Sequence, residues 1–110
     1  MVKAIWNGQV IAESDKTIMI ENNHYFPPES IKHVFFKESD HTTICPWKGT
    51  ARYYDVIVEG KRCMWGAWYY PVPSEKASQI KNHLAFWNGI EVEVPVGYKA
   101  VNDIPWYKKK

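Results

Sequence analysis

Apolar and polar residues alternate along much of this chain, and the apolar runs stay short. Residues 2 to 6 alternate as a half-buried strand does, Ile18 and Ile20 share one strand face, and Ile90, Val92 and Val94 alternate with Glu91 and Glu93. Asn7-Gly8 and Asn88-Gly89 are strong hairpin signals, because both positions tolerate positive φ. With turns at Ser14-Asp15 and Asn22-Asn23, the pattern predicts strands over 2–6, 9–13 and 16–21 as an antiparallel meander.

The middle of the chain is punctuated differently. Pro27-Pro28 removes two ladder donors in succession and so ends the strand of His24-Tyr25-Phe26. One short helical turn is expected at Pro28-Glu29-Ser30-Ile31, then an apolar strand at Val34-Phe35-Phe36 and a polar loop from Glu38 to His41. Pro46 fixes φ and Gly49 permits an unusual backbone angle, so Cys45 to Gly49 reads as a rigid turn. A strand from Thr50 to Val58 follows, with a tight turn at Glu59-Gly60 and a return strand from Lys61 to Tyr70. Pro71-Val72-Pro73 stops it. Ser74 is a good N-cap for one short helix with Ala77, Ile80 and Leu84 on its apolar stripe, and Leu84 to Trp87 can instead leave the helix as a strand. The resulting expectation is mostly β, α+β at the margin: a compact antiparallel β domain of hairpins with one or two short helices. Residues 1–94 form the domain, and 95–110 a tail that is either docked or disordered.

Composition narrows the class of function. With 110 residues, 45% of them hydrophobic and 24% charged, the chain can bury a core in one globular domain. No apolar run reaches the ~20 residues of a membrane helix, and the N-terminus lacks the apolar core of a signal peptide, which points to a cytoplasmic protein with no membrane partner. The net charge of +2 falls to −1 when the terminal Lys108, Lys109 and Lys110 are set aside. With Arg52 and Arg62 as the arginines, nucleic acid is not an expected partner. Cys45 and Cys63 form no paired C-x-x-C spacing, which excludes a four-cysteine zinc site.

Candidate chemistry concentrates in two segments, Thr42 to Tyr54 and Met64 to Pro71. Cys45 precedes Pro46-Trp47-Lys48, and a thiol near an amine can act as a nucleophile, although a small buried hydrophobe is the simpler role. Catalytic candidates are Cys45 with Lys48, Glu29 or His24 tuning it. No His pair has metal-binding helical spacing, so no metal or cofactor is expected, and a hydrogen-bonded structural role suits His24. Six Trp, seven Tyr and four Phe are the clearest excess. Neighbours in a strand point to opposite faces, so Tyr53-Tyr54 and Trp68-Tyr69-Tyr70 must each place an aromatic ring away from the core. Such rings suit a flat or cationic small ligand, and they equally suit a dimer interface. Glu29 and Lys48 would orient the ligand, or else pair with each other.

His24-Tyr25-Phe26-Pro27-Pro28-Glu29-Ser30-Ile31, Thr43 to Ala51, Tyr53-Tyr54 and Ala67-Trp68-Tyr69-Tyr70-Pro71 together resemble the domain-of-unknown-function family 427 (DUF427). Lys3 to Gly8 and Leu84 to Trp87 are similar to it as well. The resemblance covers residues 2 to 94 and implies a compact, mostly β domain. It also implies a β-tent-like fold without that grouping's zinc site. A nucleotidyltransferase label attached to the family is not carried over, because no Gly-rich phosphate loop and no paired Asp motif is present.

The sequence therefore leads to a small-molecule binding module with an aromatic-lined pocket. Its expected lining is Tyr25, Glu29, Cys45, Trp47, Lys48, Tyr53, Tyr54, Trp68, Tyr69 and Tyr70. An enzyme using Cys45 and a structural homodimer stay open as alternatives.

Overall fold

The computed structural model describes residues 1–100. Nine strands follow one another: β1 (Val2–Trp6), β2 (Gln9–Ser14), β3 (Ile18–Ile20), β4 (Asn23–Tyr25), β5 (Phe36–Cys45), β6 (Gly49–Val58), β7 (Lys61–Tyr69), β8 (Ala85–Phe86) and β9 (Glu91–Glu93). Among the described residues they form three antiparallel sheets, ordered β2-β1-β9, β3-β4 and β5-β6-β7-β8. Among the described residues strand accounts for 56% and helix for 12%, the latter all in short 3-10 segments, so the protein is mostly β rather than α+β. No described helix is long and apolar enough to cross a membrane.

The turn chemistry explains the hairpins. Asn7 and Gly8 adopt φ of 49° and 76° between β1 and β2, and Glu59 and Gly60 adopt 47° and 78° between β6 and β7. Both are turns whose twist matches paired strands. Asn88 and Gly89 are also left-handed, at 58° and 99°, but they do not close the expected hairpin. They carry the chain from β8, which pairs with β7, to β9, which pairs with β1. Asn88 donates its side-chain amide to the Met64 carbonyl, which ties this crossover to the larger sheet.

Four further expectations are corrected. The third strand does not extend a meander, because Ile31 bridges to Ala12 on β2 and β3 pairs instead with β4. Val34 and Phe35 lie in a 3-10 turn, His33–Phe35, and the strand begins only at Phe36. The polar stretch Glu38 to His41 belongs to β5 as an irregularity in its pairing with β6, so the strand survives a polar sequence through its neighbour. The helix after Ser74 is a 3-10 segment, Glu75–Ile80; the Ser74 hydroxyl donates to the Trp47 carbonyl instead of capping it, and Leu84 lies beyond.

The large sheet is buried on both faces. On one, Tyr54, Val56, Val58, Cys63, Ala67 and Tyr69 pack with Val2, Ile11, Phe26 and Ile90. On the other, Ala51, Tyr53, Trp68 and Tyr70 pack with Ile18, Ile20, Tyr25 and Ile80. This two-sided burial follows from the period-2 alternation of β6 and β7. A bulge between Tyr54 and Val56 keeps that alternation aligned across the hairpin. At the bulge Trp65 takes φ of 56°, and Asp55 holds it by accepting the Trp65 N–H at 2.9 Å while its second oxygen accepts from Arg62 at 3.0 Å. Gly66 is required beside it, since an added Cβ would sit 2.7 Å from the Ile90 Cδ1 and 2.9 Å from the Cys63 Sγ. Gly66→Ala should therefore destabilise the protein by about 1–3 kcal/mol in a denaturant titration, as overpacked cores do. An unchanged midpoint would mean that Ile90 and Cys63 move aside more easily than this packing implies.

Candidate functional site

The tip between β5 and β6 positions the first part of the site. Cys45 pairs with Gly49 across it, and Gly49 takes φ of 118°, a conformation open essentially to glycine. Pro46, Trp47 and Lys48 form the loop as expected. Ser74 fastens it, with its N–H donating to the Lys48 carbonyl at 2.9 Å and its hydroxyl to the Trp47 carbonyl. The β3–β4 hairpin supplies the second part. Its turn is Glu21-Asn22, at φ of 52° and 65°, one residue earlier than the sequence pattern predicts.

That one-residue difference places Glu21 opposite the loop. Its Oε1 accepts from the Lys48 ammonium and its Oε2 from the Trp47 indole Nε1 at 3.1 Å. Lys48 is 4% exposed, and its Nζ lies 4.9 Å from the Trp47 ring centroid and 5.7 Å from that of Tyr70. A lysine this buried stays charged only when paired, and here a carboxylate and two aromatic faces share that task. Burial works to raise the Glu21 carboxyl pKa, but the hydrogen bonds from Lys48 and Trp47, with the ammonium's charge, hold it below the ordinary value. The Glu21 carboxyl is therefore ionised at neutral pH.

The pair lines an open cavity of about 210 Å³, together with Asn23, Tyr25, Tyr53, Trp68, Tyr70 and Trp87. Strand geometry selects these residues. Tyr53 and Trp68 are direct cross-strand partners, and Asn23 and Tyr25 share a face of β4. Trp68 donates its indole N–H to the Tyr25 hydroxyl at 3.1 Å and stands edge-on to both Tyr25 and Trp87, at 88° and 83°. Burial raises the phenol pKa values of Tyr25 and Tyr70 well above 10.0, which keeps both protonated. Outside the cavity the aromatic surface continues, with His41 stacked on Trp65 at 3.9 Å and 4.7 Å from the Tyr53 ring.

Five of the expected lining residues thus meet in one cavity: Tyr25, Lys48, Tyr53, Trp68 and Tyr70. Trp47 and Cys45 pack against the same cluster beside it, with Trp47 reaching Glu21. Three do not belong there. Tyr54 and Tyr69 point to the opposite face, where they stack on each other at 5.0 Å and join the other core, as neighbours of inward residues must. Glu29 is exposed in the 3-10 turn Pro28–Ser30, and the chain beyond it runs along β2, with the Lys32 N–H bonding the Ile11 carbonyl. Glu21, not Glu29, is the carboxylate that pairs with Lys48. His24 faces away from Tyr25 and shares a 2.8 Å hydrogen bond with the Thr17 hydroxyl, which also contacts the Tyr98 hydroxyl at 2.9 Å. Tyr98 thus packs on the body, while residues 101–110 of the expected tail lie outside the described residues.

Glu21, Asn23 and Trp87 are the lining residues the sequence reading did not nominate. Asn23 was reachable by alternation from Tyr25, and Trp87 by alternation from the core residue Phe86. Glu21 offered no such signal once the turn was placed at Asn22-Asn23. No curated protein matches this chain. The model of a family described as a domain of unknown function, DUF427, matches residues 1–98, and the chain belongs to that family.

Proposed function

We propose that this protein is a small-molecule binding module, with the cavity between the β3–β4 hairpin and the β6–β7 face as its ligand site. The observation that carries this reading is the pair of buried Lys48 and half-buried Glu21, set in the wall of a pocket that is otherwise mostly aromatic. Apolar walls with a few fixed polar groups are the usual makeup of ligand sites. The volume lies below the roughly 300–1,000 Å³ of drug-sized ligand sites, so a small ligand suits it.

The hairpin turn supports the same reading through its side chain: Glu21 adopts the left-handed conformation of such turns and from there holds Lys48 and Trp47. Native mass spectrometry of the purified protein, followed by a fragment screen read on the indole N–H resonances, tests the proposal. Fragments should perturb the Trp68 and Trp87 indole signals, and a bound molecule should be displaced by Tyr53→Ala. If no fragment at millimolar concentration moves either indole, the reading is wrong.

A further inference from the structure

Resting on the reading above, we infer that the site takes a compact zwitterion: a methylated ammonium group held among the aromatic rings and an anionic group held at Lys48 and Asn23. The cavity wall carries one carboxylate and one ammonium, so its formal charge balances, and a lone ionic ligand would enter with no net counter-charge. A ligand bearing both charges can place each beside its opposite.

The positions of the polar groups then orient it. Glu21 uses one oxygen for Lys48 and the other for Trp47, and a carboxylate has about four acceptor sites, so it can still face a cation. An ammonium has three donors, of which Glu21 takes one, and the Asn23 amide, which donates one N–H to the Glu21 carbonyl at 3.3 Å, has a second on the same lining.

The rings decide the kind of cation. Trp68 packs edge-to-face with Tyr25 and Trp87, and Tyr53 lies across the strand pair from Trp68. All four line one open pocket, and tryptophan and tyrosine rings attract an organic cation. Faces of rings accept few hydrogen bonds, so a cation clothed in methyl groups loses less on entry than one bearing three N–H donors. The Lys48 ammonium, lodged against Trp47 and Tyr70, shows that this cluster already accommodates positive charge.

The test is calorimetric titration of the intact protein with glycine betaine, tetramethylammonium, glycine and acetate at near-physiological salt. Glycine betaine should bind at least about tenfold more tightly than each of the other three, a difference equivalent to 1.4 kcal/mol. Trp87→Leu, a change at a half-exposed position that should fold normally, is expected to weaken betaine about tenfold. Lys48→Gln should bring betaine down to the affinity of tetramethylammonium. Equal binding of tetramethylammonium and betaine to the unaltered protein overturns the zwitterion, and tighter glycine binding overturns the methylated cation. If none of the four binds while a fragment of another class moves the Trp68 and Trp87 indoles, this inference falls and the small-molecule reading stands. Silence from both experiments removes both.

Discussion

Glu21→Gln should cost the protein about 3–5 kcal/mol, because it strands the Lys48 ammonium in a site where that residue is 4% exposed. The partner change should be milder. In Lys48→Met the Glu21 carboxylate, whose side chain is 27% exposed, keeps the Trp47 indole and reaches water, so about 1–3 kcal/mol is expected. The double variant should lose less than the two single losses added together, since neither charge is then left alone. Glu21→Gly separates charge from backbone: it relieves the left-handed strain at φ of 52° yet should still destabilise, because the carboxylate is gone. Urea unfolding of the four variants reads all of this. A Glu21→Gln protein with the unaltered midpoint would show that Lys48 finds water, and the buried pair would then be no anchor for a ligand. Acid provides an independent check. The folded Glu21 pKa lies below its unfolded value near 4.5, so its contribution is full above that value and is lost as pH falls through the folded one. In Glu21→Gln that part of the acid sensitivity should vanish.

The same residue marks the limit of what the sequence could say. Strand alternation was legible wherever strands were long: β6 and β7 follow the pattern nearly to the residue, and local geometry requires Tyr53-Tyr54 and Trp68-Tyr69 to split between two faces without saying which ring of each meets the pocket. The Cys45 to Gly49 turn was legible too, because proline and glycine constrain backbone angles whatever surrounds them. Short strands were not. In β3 and β4, three residues each, moving the turn by one position moves Glu21 from a strand end into the turn, and no local signal opposes it. Glu29 was chosen from its place beside a proline pair. Its real destination was set by Ile31 pairing with Ala12, a contact of nineteen residues' separation that no local pattern encodes. The Asn88-Gly89 turn had the right conformation and the wrong consequence, since which strands a turn joins depends on the free edge of β1. Local chemistry specified the turns and faces, while long-range pairing decided which side chains met.

Alkaline pH should unfold this protein steeply, and the cause is the same burial that builds the site. Burial raises the Tyr25 phenol against the opposing hydrogen bond from Trp68, and it raises Tyr70, with nearby Tyr25 adding to the effect. Burial and the neighbouring Tyr54 push Tyr69 up to about 12. An acid whose folded pKa lies above its unfolded value binds an extra proton when folded. Its contribution is complete below the unfolded value of 10.0 and is lost as pH climbs towards the folded one. Each such group costs up to about 1.4 kcal/mol per pH unit in that window, so three together approach ~4 kcal/mol per unit. The Cys63 thiol, raised by burial and by the charge of Asp55, begins the decline somewhat earlier, from its ordinary value of 9.0. Against a total stability of about 5–15 kcal/mol, the fold should fail within a few units above pH 10. Tyrosinate absorbance and circular dichroism followed together decide the matter. The absorbance of the buried tyrosines should rise in step with loss of strand signal, and Tyr70→Phe should flatten the slope by one group's share. If all seven tyrosines ionised smoothly near pH 10 in a protein that kept its strand signal, Tyr25 and Tyr70 would be reached by solvent, and the cavity would be a wetter and less selective place than its walls imply.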